Sequence, residues 1–331
     1  MAYDNIQLDK GLYTTGKSLT QALETTDPSE NYRGTALEGL DAYERQLKRF
    51  GIHVAGTGSD RIEKFFRSGE TATLFPEYIA RAVRQGLERA DKLAEITAAT
   101  TIINGLDYRS VSCETENGAD TPTAEAAQLP VTQLRSKSSL VGMKKHGRVL
   151  NASYEALRYH RLDLFTVTLR QIGAEIANAL LAEAVEVLID GDGTAGTAAL
   201  TVSKGGSDLS YADLIALWNS FDPFEMTTLV GSAGAVQAVL ALDEMRDGFA
   251  GLDFHGSGNL VTPLGARLLK SAAVPAGQLL ALDKNCALEV VKAGDILTDY
   301  DKLIDHQLDR AAISATVGFA KIFADAAVVL Q

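Results

Sequence analysis

Apolar residues recur at three- and four-residue spacing through residues 161–190, RLDLFTVTLRQIGAEIANALLAEAVEVLID, which hold no proline and one glycine, Gly173. Leu162, Phe165, Leu169, Ile172, Ile176, Leu180, Ala184 and Val187 fall on one face of a helix. Val167, Ala174, Leu181, Val185 and Leu188 lie off that stripe, so the helix needs cover on more than one side. At 1.5 Å per residue it would run roughly 45 Å, well beyond the usual three turns. A strut of this length offers sheets and neighbouring copies a surface to lean on.

The rest of the chain is organised around it. Residues 1–34 are polar and without period, and are expected to form an extended arm or a partly disordered segment that orders only against a partner. Thr35 and Glu38 match a T-x-x-E capping box, and Leu37, Leu40, Tyr43, Leu47 and Phe50 predict a helix that Gly51 ends. Its apolar stripe must lie on a distant part of the chain or on another subunit. Pro76 suits the first turn of a second helix, with Ile79, Val83, Leu87, Ala90 and Leu93 as its stripe. Residues 100–111 read as a strand broken at Asn104 and Gly105.

Residues 112–150 are mostly polar, turn at Asn117, Gly118, Ala119 and Asp120, and return through a strand-like segment, 131–150. A two-stranded excursion with so little apolar content cannot stabilise itself, so it is expected to project and pair outside its own domain. Residues 151–155 read as a cap and short helix. After the long helix the chain alternates like an α/β lobe. Ser210 and Asp213 cap a helix through Leu214, Leu217 and Trp218, residues 227–231 form a short buried strand, and Ser232 caps a helix through Met245. A Gly-rich loop, 247–263, precedes strands at 266–269, 278–283, 288–291, 309–320 and 326–330. The fold class is α+β.

Composition narrows the function. With 331 residues the chain can bury a sizeable core and hold two or three subdomains. A formal charge of −12 argues against a constitutive nucleic-acid binder, though not against a container of nucleic acid. Cys113 and Cys286 stand far apart without metal-type spacing. No basic and apolar leader opens the chain, so no signal peptide and an intracellular place of synthesis are expected. No uncharged apolar run is long enough to span a bilayer, so no membrane partner is expected.

Candidate chemistry thins out on inspection. Gly191, Gly193 and Gly196 match G-x-G-x-x-G, but a dinucleotide site needs that motif after a strand, and here it follows a helix, as a stop and turn would. A calcium loop from Asp190 and Asp192 fails because Ala195 and Thr201 occupy the positions that need glycine and glutamate. His53, His146, His160, His255 and His306 show no ligand spacing, with only His255 in its Gly-rich loop left open, and Asp299, Asp301 and Asp305 read as solvated acids. Lys137, Lys144 and Lys145 are either strand-edge charges that deter pairing or contacts to a neighbour's acidic surface. With no nucleophile elbow and no Walker-type loop, no catalytic, cofactor or metal site is expected.

Six segments, taken in order, carry a resemblance. They are LFPE at 74–77, ETENG at 114–118, NASYEAL at 151–157, IDGDGT at 189–194, and the closing VGFAK at 317–321 with AAVVL at 326–330. Their order and spacing resemble the Hong Kong 97-type major capsid protein of tailed bacteriophages over roughly residues 74–331. The resemblance implies an N-terminal arm with a capped helix (1–73), the start of a P-domain (74–105), an extended E-loop (106–150), the P-domain with its spine helix (151–206), an A-domain (207–283) and return strands to both (284–331). It implies a non-enzymatic subunit of an icosahedral head, assembled in the host bacterial cytoplasm into hexamers and pentamers that enclose double-stranded DNA without specific binding. Expected contacts between copies are Glu114, Glu116, Asn117, Asp120, Lys137, Lys144 and Lys145 of the hairpin, and Leu37, Tyr43 and Phe50 of the capped helix.

An encapsulin-like nanocompartment shell, which shares the fold, and an α/β enzyme using the lobe at 207–283 are the alternatives. Nothing identifies an acceptor for lysine cross-linking between subunits. Only 73 residues precede Leu74, so no long cleaved scaffolding segment is expected, and scaffolding and portal are separate proteins. Mass analysis of the assembled subunit checks this: a start well past residue 50 would contradict it.

Overall fold

The period through residues 161–190 materialises as the longest helix of the computed structural model, which describes residues 2–13, 18–115, 122–126, 129, 131–246, 260–294 and 296–331. Helices are α1 (Leu19–Thr26), α2 (Ala42–Arg49), α3 (Gly69–Thr73), α4 (Phe75–Ala90), α5 (Tyr154–Tyr159), α6 (Leu162–Asp190), α7 (Tyr211–Asn219), α8 (Ala233–Ala241) and α9 (Asp243–Arg246). Strands are β1 (Ala99–Ile103), β2 (Val111–Thr115), β3 (Thr132–Ser136), β4 (Met143–Ser153), β5 (Leu200–Val202), β6 (Thr228–Gly231), β7 (Arg267–Lys270), β8 (Leu279–Leu282), β9 (Leu288–Ala293), β10 (Leu297–Leu303), β11 (Leu308–Lys321) and β12 (Ala327–Leu330). The chain divides into two units, one of residues 1–90, 147–177 and 296–315, the other of residues 91–146, 178–295 and 316–331.

The first unit is built on α4 and the first half of α6. Phe75 stacks on Phe165 with ring centroids 6.2 Å apart and meets Tyr300 edge-on, while the Tyr78 hydroxyl donates to Leu162 O at 2.7 Å. Ile79, Val83, Leu162 and Leu169 are buried alongside them, as the two stripes require. Pro76 sits in the first turn of α4, where its missing N–H costs nothing.

The described part of residues 1–34 does not form a free arm. Ser18 and Gln21 close a capping box at the start of α1, and Leu19 and Leu23 are wholly buried in the unit's own core. Arg45 of α2, also wholly buried, gathers the segment around its guanidinium: Nε donates to Asp27 Oδ2 at 3.1 Å and Nη1 to Leu40 O and Ser29 Oγ, each at 2.8 Å. Its plane lies 4.3 Å from the centre of the Tyr32 ring. A buried guanidinium needs every donor matched, and polar residues that look unstructured in sequence do the matching.

The helix expected from Thr35 starts later. Asp41 is the N-cap of α2 and pairs with Glu44 in a capping box, whereas Thr35 donates to Tyr32 O in a turn and Gly39 adopts φ +84°, which ends any helix begun at Thr35. Gly51, at φ +61°, stops α2 as expected. The surface under α2 belongs to its own unit: α2 packs on α1 and the turn at Ala2–Asn5, and Arg81 of α4 bonds Asp41 Oδ2 at 2.6 Å and stacks 4.5 Å from the centre of the Tyr43 ring.

In the second unit one sheet has the order β5-β12-β8-β6-β7, parallel at both outer pairs and antiparallel at the two inner ones. Its core gathers Leu214, Leu217 and Phe221 from α7 and its exit, Val236 and Val239 from α8, and Leu229, Leu268, Leu279 and Val328 from the strands. Ser210 and Asp213 form the expected capping box. The helix after Ser232 ends earlier than expected, because Leu242 turns extended (ψ 141°) before the short α9. β10 of the first unit pairs antiparallel with Leu308–Ser314 of β11, and the pairings of β9 belong to the second unit. β1 pairs β9 in parallel, and Val317–Lys321 pair antiparallel with β9 within this unit. β5 and β10 lack a strand-like apolar pattern and went unexpected; the alternating acids of LTDYDKL hid the latter. Residues 151–153, expected as a cap, finish β4, and Ser153 alone caps α5.

Most of the Gly-rich loop, including His255, lies outside the described residues. Among the described residues no helix is long and apolar enough to cross a membrane.

The α4–α6 crossing in the first unit is a backbone contact. A Cβ on Gly86 would fall 2.0 Å from Arg170 O, and one on Gly173 would fall 2.0 Å from Val83 O. Alanine usually favours a helix by about 1 kcal/mol over glycine, so the sign here rests on crowding alone. Gly86→Ala or Gly173→Ala is expected to lower stability by about 2–3 kcal/mol in urea unfolding, while Gly58→Ala, with open space around it, stays within about 0.5 kcal/mol of wild type.

Candidate functional site: the anchored hairpin

The hairpin divides into a fixed base and a ribbon. At the base, Glu289 of β9 is buried, and its carboxylate accepts from Thr101 Oγ1 and Tyr108 OH at 2.6 Å each and from Ser110 Oγ. Three hydroxyl donors satisfy a charge that burial would otherwise penalise. Val141, Val291 and Ala320 add a small apolar core, joined by Tyr108 and Met143. Gly318 of β11 lets the returning strand come close, since a Cβ there would sit 2.9 Å from Gly142 O.

The second anchor lies at the α6 exit. Gly191, Gly193 and Gly196 all have positive φ, near 80–93°, so GDGTAG is the turn expected and not a phosphate cradle. That turn presents Asp192, whose Oδ2 accepts from Lys137 Nζ of the hairpin at 2.8 Å and from the Lys321 backbone N–H at 3.3 Å. Burial alone would raise the Asp192 carboxyl. Hydrogen bonds from Lys137 and Thr194, with the Lys137 charge, outweigh it and hold the pKa at about 2. Lys321 is wholly buried and donates Nζ to Thr197 O at 2.9 Å; burial lowers its ammonium to about 8 in spite of Asp192. Further along, Lys144 and His146 of β4 both reach the buried Glu183 of α6.

Beyond these anchors, β2 and β3 pair only with each other among the described residues, from Val111 opposite Ser136 to Thr115 opposite Thr132. Leu129 and Leu134 are each 71 % exposed, and Val131 and Leu140 also face solvent. A ribbon of two strands is marginal in water, and apolar side chains on it find no cover in their own unit.

The expected contact residues scatter. Glu114 lies on β2 opposite Gln133, while Glu116, Asn117 and Asp120 lie outside the described residues. Lys144 and Lys145 are exposed. Lys137 is a correction: its side chain is only 11 % exposed and bonded to Asp192 and Lys321 O, so it holds the hairpin down and is spent within its own unit. Leu37 and Tyr43 are corrections too, at 6 % and 2 % exposure, with the Tyr43 hydroxyl on Leu74 O; Phe50 keeps a partly open ring.

Sequence reasoning missed Glu289, Ser110 and Lys321. A lysine set in the apolar run VGFAKIF was the available signal for the last. Among the described residues no group of three or more His, Cys, Asp or Glu could hold a metal ion.

An α+β chain with a long helix, a five-stranded lobe and an anchored ribbon has the Hong Kong 97-like fold of shell proteins, and the solved structures it resembles are shells. The virus-like particle from Pyrococcus furiosus is 12% identical and aligns with a TM-score of 0.51 over 77% of this chain and 98% of that one. The capsid of the native GTA particle is 15% identical, with a TM-score of 0.52 over 74% and 89%. A chain from Microbacterium phage Oxtober96 is 13% identical, with a TM-score of 0.52 over 73% and 91%. A search of curated proteins finds no match. The chain belongs to the phage capsid protein family, whose model matches residues 137–324. It is a structural capsid subunit of the virion.

The Asp192 anchor has a pH signature. A carboxyl with its folded pKa depressed to about 2 stabilises the fold fully above its unfolded value near 4, and that gain disappears as pH falls from about 4 to about 2. Asp192→Asn is expected to cost about 1–2 kcal/mol at pH 7 in denaturant titrations, with the difference from wild type shrinking across that acid window. A difference of unchanged size at pH 2 would show that the charge is not its source.

Proposed function

We propose that the subunit assembles into hexamers and pentamers of an icosahedral head, with the ribbon of each copy laid over its neighbour. The carrying observation is the ribbon itself: Leu134 on β3, with Leu129 and Val131 just before it, is exposed in a hairpin whose base is fixed by Glu289 and Asp192. Fixing the base lowers the ordering cost of docking the tip, and the apolar residues supply what the docked ribbon buries. In this reading residues 106–150 act as the E-loop, α6 as the spine of the P-domain and residues 207–283 as the axial A-domain. The candidate contacts become the ribbon, Glu114, Lys144, Lys145 and Phe50. A net charge of −12 suits a wall that encloses DNA without gripping it. Separate scaffolding and portal proteins would complete the head, built in the host cytoplasm, and the subunit itself needs no catalytic step.

Electron microscopy of the chain, expressed alone and with a candidate scaffolding protein, tests this. Closed icosahedral shells are expected, and a persistent monomer under both conditions contradicts it. Leu134→Asp should leave the circular dichroism spectrum and unfolding midpoint unchanged while reducing shell yield at least about tenfold, because a charge would enter a docked apolar contact. Shells at wild-type yield from that variant would remove the ribbon from the interface.

A further inference from the structure

A cavity of about 570 Å³ opens beside the C-terminal end of α7 in the second unit. One side is aromatic and apolar, formed by Trp218, Phe224, Met226 and Leu264. Phe224 is braced from behind by Phe323, with ring centroids 5.5 Å apart, and Met226 is buried, so the wall is firm. Trp218 is nonetheless 49 % exposed, presenting its indole to the open space. The polar side carries the carboxylates of Asp222 and Glu225, both exposed and without an ion-pair partner among the described residues. Among the described residues no Lys, Arg or His lines the cavity; Lys284 donates its backbone N–H to Thr227 Oγ1 at the margin.

Every electrostatic feature has one sign. Two carboxylates, the negative end of the α7 dipole and the π face of an indole all favour a cation. A hard metal ion is a poor occupant, because it would want an oxygen cage where this cavity has an aromatic wall. An anion would be repelled, and a neutral apolar ligand would leave both carboxylates unused. We propose that this cavity binds an alkylammonium group, its methylenes against Trp218, Phe224 and Met226 and its charge at Asp222, Glu225 and the indole face. A free polyamine and a lysine side chain of a partner share that chemistry. The inference stands independently of how the subunits assemble.

Trp218 is the single tryptophan of the chain, so its emission reports directly on the cavity. Purified protein would be titrated at low and at physiological salt with spermidine, with a trilysine peptide, and with an uncharged diol of similar length. A saturable change with spermidine or the peptide is expected, and the tighter of the two identifies a free or a protein-borne ligand. The double variant Asp222→Asn with Glu225→Gln keeps the shape and removes both charges, and should weaken binding by ~10-fold or more at low salt. Circular dichroism confirms that it is folded. Absence of a saturable change with both amines, equal affinity in the double variant, or an equal response to the diol would each overturn the proposal.

Discussion

Two helix backbones in contact set the terms for the first unit. At Gly86 and Gly173 neither α4 nor α6 has room for a methyl group, so their spacing is decided by main-chain atoms and not by side chains that could repack. With that spacing fixed, Phe75, Tyr78 and Phe165 can stack, and the Tyr78 hydroxyl reaches the first turn of α6. α2 then docks on α4 through Arg81, and α1 with its following turn closes around Arg45. Polar N-terminal residues are ordered by a chain of consequences that starts at two glycines.

The second unit places charge inside only where it is matched. Glu289 meets three hydroxyls, and Asp192 meets the Lys137 ammonium with Lys321 close behind. Each of these groups ties the hairpin base to strands or turns far away in sequence. Among its described residues the ribbon beyond has no such buried charge, and its apolar side chains are exposed.

Much of this was legible from local pattern. The period of α6, the Ser210–Asp213 cap, the buried strand at β6 and the stop at Gly191 are all decided by residues close in sequence, and each appears where expected. Of the residues off the main stripe of α6, Leu181, Val185 and Leu188 are buried while Val167 stays exposed. What escaped was non-local or competitive. Thr35–Glu38 and Asp41–Glu44 are rival capping boxes six residues apart, and only the left-handed turn at Gly39 decides between them. Lys137 reads as a surface lysine until Asp192, 55 residues later, is known to face it. Leu37 and Tyr43 carry apolar surface that sequence can detect but cannot assign to the chain's own core or to another copy.

β12 occupies the second position of its sheet, bonded on one side to β5 and on the other to β8, although it follows both in the chain. During synthesis β5 therefore waits without a partner until residues 327–330 have left the ribosome. A chain cut short before Ala327 would lose the link between β5 and the rest of the sheet, together with Val328 and Leu330 from the core. The last strand to be made is thus the one that completes this sheet.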